Sequence, residues 1–448
     1  MTKPEIYHVT DVFTPTRPAR ATFVERDVIN DKLVSALQTP GKQIVVYGHS
    51  GSGKTTLLVN KLHQLYENHI TTRCISDMTF DQMIINAFDQ LNTFFETEQV
   101  KSKSAQISSS IQAEYFVIRS QIGSQIDEQT QTKQQRILPP QLTPQTLAKL
   151  LGKSKCCWVL EDFHKINSIQ KKNLSQVMKL FMDMSDEYPT LKIIAIGAVD
   201  TARQVIEYDP EMRNRVSEIY VPLMSEYEIR QIITKGEDLL NFLVDDQVKS
   251  GITNYSNGVA SVCHQLLLNI CFAADIMETK IHDKQIITHQ ELAQALEMYL
   301  ENASDTLKSA FEKAFRKTKA GRFDNNRLIL RALAKSGQDG ATHGELLTII
   351  RKDQADYPSG NLTIYLNKLQ SSERGSLIRY NTASGKYSFN DPIYRAFAMS
   401  LFAKEKHPTS NIEINILNII NSLTPSKPSK TLIDFLQLAI DFQNKKNT

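Results

Sequence analysis

Residues 44–47 are a short apolar run that passes without a break into Gly48, His49, Ser50, Gly51, Ser52, Gly53, Lys54, Thr55 and Thr56. The stretch satisfies G-x-x-x-x-G-K-S/T at every specified position, a pattern that demands a strand before it and a helix after it. Its glycines let the backbone curl until successive N–H groups converge on one point, with no side chain in the way. The helix expected over about 54–66 aims the positive end of its dipole at the same point. Converging N–H groups and a helix N-terminus make an anion cradle, so the stretch reads as a loop that holds a polyphosphate. Lys54 is then the point charge on the β- and γ-phosphates, and Thr55 offers its hydroxyl to a magnesium ion. A glycine-rich turn without a ligand is the plain alternative, and the strand and amphipathic helix flanking it argue against that.

A second motif answers the first. Residues 156–160 run apolar into Glu161 and Asp162, followed by Phe163, His164 and Lys165. Phosphoryl transfer needs one carboxylate for the metal shell and another to orient or deprotonate the attacking water. By position Glu161 takes the metal and Asp162 the water, the reverse of the usual order of Asp then Glu. A shorter second carboxylate predicts slow hydrolysis, or an exchange of the two roles. Two exposed acids at a strand's end are the plain alternative here. With Lys54 and Thr55, the pair points to ATP and Mg2+ as cofactors.

Length bounds the remainder, because 448 residues are too many for one hydrophobic core. Strand signals at 69–75 and 191–197 alternate with helical ones at 79–95 and 167–186, the rhythm of a parallel sheet covered on both sides. Residues 97–140, dominated by Gln, Ser, Thr and Lys, break that rhythm and read as an insertion, either solvated or partner-binding. Ahead of the loop, residues 1–20 read as an extended lead-in to a helix over 28–37. Phe23, Val24 and Arg26 are candidates for an adenine pocket and for surface packing alike. Arg213 and Arg215 stand just before the last core strand, where an arginine can reach a neighbouring subunit's nucleotide and stabilise transition-state charge. Arg215 is the first choice, and simple surface arginines are the equal alternative.

From Ser225 the strand signals stop and helices over 225–240, 245–256 and 258–277 follow, with one or two more over 289–315. Three further helices open at Asp324, Thr342 and Ser359, each a plausible N-cap. A hairpin over 375–380 and 386–390 completes the order of a winged helix. Residues 307–406 hold 18 lysines and arginines against 9 acids, a surplus of nine, so the rest of a chain with net charge +3 carries minus six. A basic winged helix is the footprint of a DNA binder, whose third helix, about 359–371, would enter the major groove. That helix offers only Asn361, Thr363, Asn367 and Lys368 as base readers, and positive charge alone gives salt-sensitive, non-specific affinity. The five scattered cysteines read as reduced thiols. No apolar stretch approaches the roughly 18 residues that span a bilayer, and the N-terminus lacks a signal peptide's apolar core. The expectation is a cytoplasmic protein without membrane contact.

Residues 23–27, the phosphate loop, residues 158–164, the arginines before the last core strand and the helical stretch beyond it together resemble the AAA+ branch of P-loop ATPases. Within that branch they are similar to the origin-recognition-like and STAND signalling ATPases, over about residues 20–300. The resemblance implies an N-terminal arm and helix at 1–40 and an α/β, parallel-sheet core at 41–223. A helical lid at 224–305, an α+β winged-helix domain at 306–405 and a helical tail at 406–448 complete the expected organisation. It implies an ATPase, and a slow one, because two sensor positions depart from the pattern. Gly197-Ala198-Val199 stands where a polar γ-phosphate sensor is usual, with Asp200 and Thr201 just beyond. No arginine follows Gly258, which leaves His264 as a candidate nucleotide contact. In STAND proteins the winged helix is an internal latch on the nucleotide domain, and Asp391-Pro392 resembles the segment found there. The implied role is a switch in bacterial signalling or anti-phage defence, acting through a homo-oligomer or a separate effector protein. A DNA-binding initiator or loader is the alternative.

Overall fold

The computed structural model describes residues 5–65, 68–101, 142–198, 214–282, 284–316, 322–382 and 384–406. Most of the insertion expected at 97–140, and the tail from 407, lie outside the described residues. Residues 1–400 form one compact unit and 401–448 a second.

A four-residue helix α1 (Val9–Val12) and a longer α2 (Asp27–Gln38) lead to β1 (Gln43–Tyr47). Then come α3 (Lys54–Leu65), β2 (His69–Arg73), α4 (Phe80–Lys101), α5 (Pro144–Lys153), β3 (Cys157–Glu161), α6 (Ser168–Asp183), β4 (Ile193–Gly197) and β5 (Val216–Tyr220). The five strands form one parallel sheet in the order β2-β3-β4-β1-β5. Side chains alternate between its faces. Ile44, Val46, Cys157, Val159, Ile194 and Ile196 pack with Leu33, Leu37, Leu57 and Leu62 of α2 and α3. Val45, Trp158, Leu160, Ile193 and Ala195 meet Met83, Leu147, Leu174 and Phe181 of α4, α5 and α6 on the other side. Burial on both faces is why these strands read as unbroken apolar runs. β4 lies between β1 and β3, so the phosphate loop, Gly197 and the two acids all emerge at one edge of the sheet, the edge at which parallel sheets bind ligands.

The helical part comprises α7 (Glu226–Leu240), β6 (Phe242–Val244), α8 (Asp246–Ser256), α9 (Ala260–Ala273), β7 (Gln285–Ile287) and α10 (His289–Glu301). Capping boxes at Ser225/Glu228 and Thr288/Glu291 fix where α7 and α10 begin. The parallel pairing of β6 with β7 departs from the all-helical expectation, since three-residue strands are too short to show a period of two. The N-terminal segment also differs from the extended lead-in expected. Val9 donates its N–H to the Met277 carbonyl at 2.9 Å, and His8 bridges Glu278. Phe13, fully buried, lies on Gly236 of α7, where a Cβ would stand 2.3 Å from the ring. Prolines and polar neighbours hide this small apolar cluster of Val9, Val12 and Phe13 from a periodicity reading.

The C-terminal part runs α11 (Asp305–Phe315), α12 (Asn325–Lys335), β8 (Ala341–Thr342), α13 (His343–Asp353), α14 (Ser359–Leu369), β9 (Ile378–Asn381), β10 (Lys386–Phe389) and α15 (Pro392–Lys406). Its strands form an antiparallel sheet in the order β8-β10-β9, so helices α12 to α14 are followed by a hairpin. Thr342 caps α13 in a capping box with Glu345, whereas Asp324 makes no capping bond and Pro358, not Ser359, stands at the N-cap of α14. On α14, Asn361 turns its amide to Asn325 at 3.2 Å and Thr363 meets the His343 ring at 3.0 Å. Two of the four candidate base readers are thus engaged within the protein. No described helix is long and apolar enough to cross a membrane.

Candidate nucleotide site

β1 ends at Tyr47 and α3 begins at Lys54, so residues 48–53 join the C-terminal end of a central strand to a helix N-terminus. The glycines serve different needs. At Gly48 a Cβ would lie 2.3 Å from the Val221 carbonyl oxygen. Gly51 has φ +72° and would place a Cβ 2.4 Å from Ser261 Oγ, while Gly53, at φ +90°, faces open space. Ser52 is 1% exposed and its hydroxyl has no hydrogen-bond partner among the described residues; an orphaned donor in such a loop is available to an anion. Lys54 Nζ donates to the carbonyl oxygens of Gly48 at 3.0 Å and His49 at 2.7 Å. Burial pulls its pKa down, and the charges of Asp162 and Asp391 work in the opposite direction.

The loop forms one wall of a cavity of about 780 Å³, within the range of small-molecule sites. Among the described residues singled out as nucleotide, metal or catalytic contacts, every one lines this cavity except His49 and Arg215. Glu161 faces Arg73 of the adjacent strand at 3.4 Å, but that arginine is 84% exposed, so the pair binds its carboxylate weakly. Asp162 sits in the left-handed region at φ 55° with Lys165 Nζ 2.6 Å from its carboxylate. Gly197 and Ala198 contribute no polar side chain at the sensor strand's end, and Asp200 and Thr201 lie outside the described residues. Val24 is buried in the wall. Arg26 donates to Glu228 at 2.7 Å and to the carbonyls of Pro222 at 3.0 Å and Leu223 at 3.2 Å. Its guanidinium therefore straps the arm to the junction of core and helical part.

Arg215 stands apart. β5 runs parallel to β1 with Gln43 opposite Val216, so the residue before β5 lies at the edge of the sheet away from the phosphate loop. The separation is one strand length, about 17 Å at ~3.3 Å per residue. There Arg215 faces Asp183 at 3.5 Å, both well exposed. Arg213 lies outside the described residues.

Two long-range pairings at the site have no signature in the sequence, although His264 itself is a candidate contact. His264 of α9 lines the cavity, and its Nδ1 accepts the N–H of Thr14, 250 residues away, at 3.0 Å. Burial drives its pKa down to about 4. The second is the corner between α8 and α9. Asn257, 4% exposed, donates to the Pro392 carbonyl at 3.0 Å and accepts from Arg395, and its own carbonyl takes the Gln338 amide at 3.1 Å. A few residues on, Ser261 directs its N–H to the Gly51 carbonyl at 3.5 Å. One turn of chain thus touches the phosphate loop and the C-terminal part, at Gln338, Pro392 and Arg395, together.

No family model and no curated protein matches the sequence. Solved structures do. The chain is similar to a Walker-type ATPase of Pyrococcus abyssi at 16% identity and TM-score 0.51, covering 86% of this chain and 99% of that one. It also matches Cdc6p of Pyrobaculum aerophilum at 15% identity and TM-score 0.43, over 89% of this chain and 98% of the other. A third match is the ORC2 protein of Aeropyrum pernix at 12% identity and TM-score 0.45, over 90% of this chain and 100% of the other. At 16% identity the likeness to the Walker-type ATPase is one of fold. The chain has the fold of that Walker-type ATPase, a parallel-sheet α/β core followed by a helical part.

Proposed function

We propose that the chain binds Mg-ATP between its α/β core and its helical lid, hydrolyses it slowly, and uses the bound nucleotide as a switch. The observation that carries this reading is the convergence of the phosphate loop, both acids and lid residues on one cavity. The donor set fits the ligand. The Thr55 hydroxyl and the Glu161 carboxylate are hard oxygen ligands of the kind Mg2+ takes alongside phosphate oxygens. When bound, the metal would neutralise charge developing on those oxygens. Lys54 would give up its two carbonyl partners for the β- and γ-phosphates. Asp162 would orient the water, a role its contact with Lys165 opposes, and slow turnover follows.

Switching rests on the Asn257 corner. A ligand shifts an equilibrium only so far as it meets two arrangements differently. Filling the loop beside Gly51 acts on residues that also hold Pro392 and Arg395, so nucleotide occupancy bears on the seating of the winged segment. Asp391, whose charge acts on both Lys54 and His49, adds to that link. This supports a STAND-type latch in a cytoplasmic signalling or anti-phage defence protein, with self-association or a separate effector as its output. The surplus of nine positive charges over residues 307–406 favours the second reading, a DNA-binding initiator or loader. Titrating duplex DNA against salt separates the two. The switch predicts no sequence-dependent binding, and tight binding that survives physiological salt would replace it with the loader.

A further inference from the structure

The cavity has two ends. On α9, Ser261 and His264 are three residues apart and share a face. Ser261 rests against Gly51, which places His264 about 5 Å further along the helix, at ~1.5 Å per residue, from the phosphate end. The lining beyond the phosphate loop includes the apolar Phe23, Val24, Met224 and Ile232 together with Thr14, Thr16 and Arg17 of the arm. The His264 ring is 4% exposed, packs edge-on with Phe13, and spends Nδ1 on the Thr14 N–H. A ring nitrogen that accepts carries no proton, so in the neutral ring the hydrogen sits on Nε2. Burial keeps the ring neutral at physiological pH. Among the described residues no hydrogen bond is made by Nε2. His264 therefore offers a fixed N–H donor in the same cavity as the phosphate cradle.

We infer that His264 reads the base of the bound nucleotide, its Nε2–H donating to an acceptor ring nitrogen of a purine. The inference rests on the nucleotide reading above and adds base selection to it. A fixed in-plane donor suits a flat heteroaromatic ring with an unprotonated nitrogen. Adenine's acceptors are three ring nitrogens and uracil's are two exocyclic carbonyl oxygens on a smaller ring, so a donor fixed for a ring nitrogen of the two-ring base meets uracil at a different distance. Thr14 sets the tautomer by occupying the opposite nitrogen, and acts as a positioning residue through its backbone.

The test uses the full chain with Mg-ATP, Mg-UTP and magnesium tripolyphosphate in equilibrium titrations. Wild type is expected to favour ATP over UTP by about tenfold, the worth of one buried hydrogen bond. His264→Asn keeps an acceptor for Thr14 but lacks the far donor. It should bind ATP about tenfold more weakly, lose the preference, and hold tripolyphosphate like wild type. His264→Gln, with an amide donor at the Nε2 position, should recover part of the preference. Undiminished preference in His264→Asn overturns the assignment, as does equal loss of tripolyphosphate and ATP. A wild type that binds tripolyphosphate but does not discriminate between ATP and UTP removes the base reader alone. One that binds none of the three removes the nucleotide site itself.

Discussion

Individual side chains at the site are held by burial and by fixed partners, and their chemistry follows from both. His264 is the clearest case. The unfolded chain takes up a proton there near pH 6.5, whereas the folded chain resists until about pH 4. Its contribution to stability is therefore full above pH 6.5 and is lost as the pH falls through that window. Urea midpoints measured from pH 7.5 to 4 should fall more steeply for wild type than for His264→Asn, and parallel profiles would show that the ring titrates normally. Asp162 is held differently, by a left-handed backbone and by Lys165. If it orients the attacking water, Asp162→Asn should lower turnover roughly 100-fold while ATP affinity changes little. Single-turnover hydrolysis measures this, and an unchanged rate would pass the role to Glu161.

At the scale of elements, the arm is the least expected component and one of the most consequential. Arg26 joins residues before the core to Pro222, Leu223 and Glu228, where α7 starts, by hydrogen bonds to each. Arg26→Ala leaves two carbonyls without their partner and leaves the Glu228 carboxylate to the Ser225 N–H, and should destabilise the fold by about 1–3 kcal/mol. Urea unfolding without nucleotide reads the loss; a change below about 0.5 kcal/mol, the size of an ordinary surface substitution, would show the strap to be idle. The core strands were legible in the sequence because burial on two faces writes continuous apolar runs. The phosphate loop was legible because its glycines answer local constraints, a left-handed φ at Gly51 and no room for a Cβ at Gly48. What could not be read is what long-range packing decides. Thr14 pairs with His264 and Asn257 with Arg395, partners far apart in the chain that no local period links. Arg26 was legible as a residue near the site, but its partners were not, since a guanidinium serves a phosphate or a carboxylate equally well.

For the molecule as a whole, the account joins a nucleotide site to a latch and an assembly surface. Arg215 lies at the sheet edge away from its own cavity, so any contribution to catalysis must be made to a neighbouring subunit. Arg215→Ala should leave ATP binding by the isolated chain intact and lower assembly or turnover, and weakened binding in the monomer would bring that arginine back to its own site. Particle mass with and without a non-hydrolysable ATP analogue reports the assembly, and identical masses would point to an output through a separate effector. Both readings depend on a nucleoside triphosphate gripped by residues 48–55. Calorimetric titration of Mg-ATP into the wild type and Lys54→Ala proteins examines that grip directly. One site per chain is expected in the wild type, weakened roughly 100-fold in the variant as charged hydrogen bonds to phosphate are lost. No heat of binding in the wild type, or equal affinity in both proteins, would contradict the account.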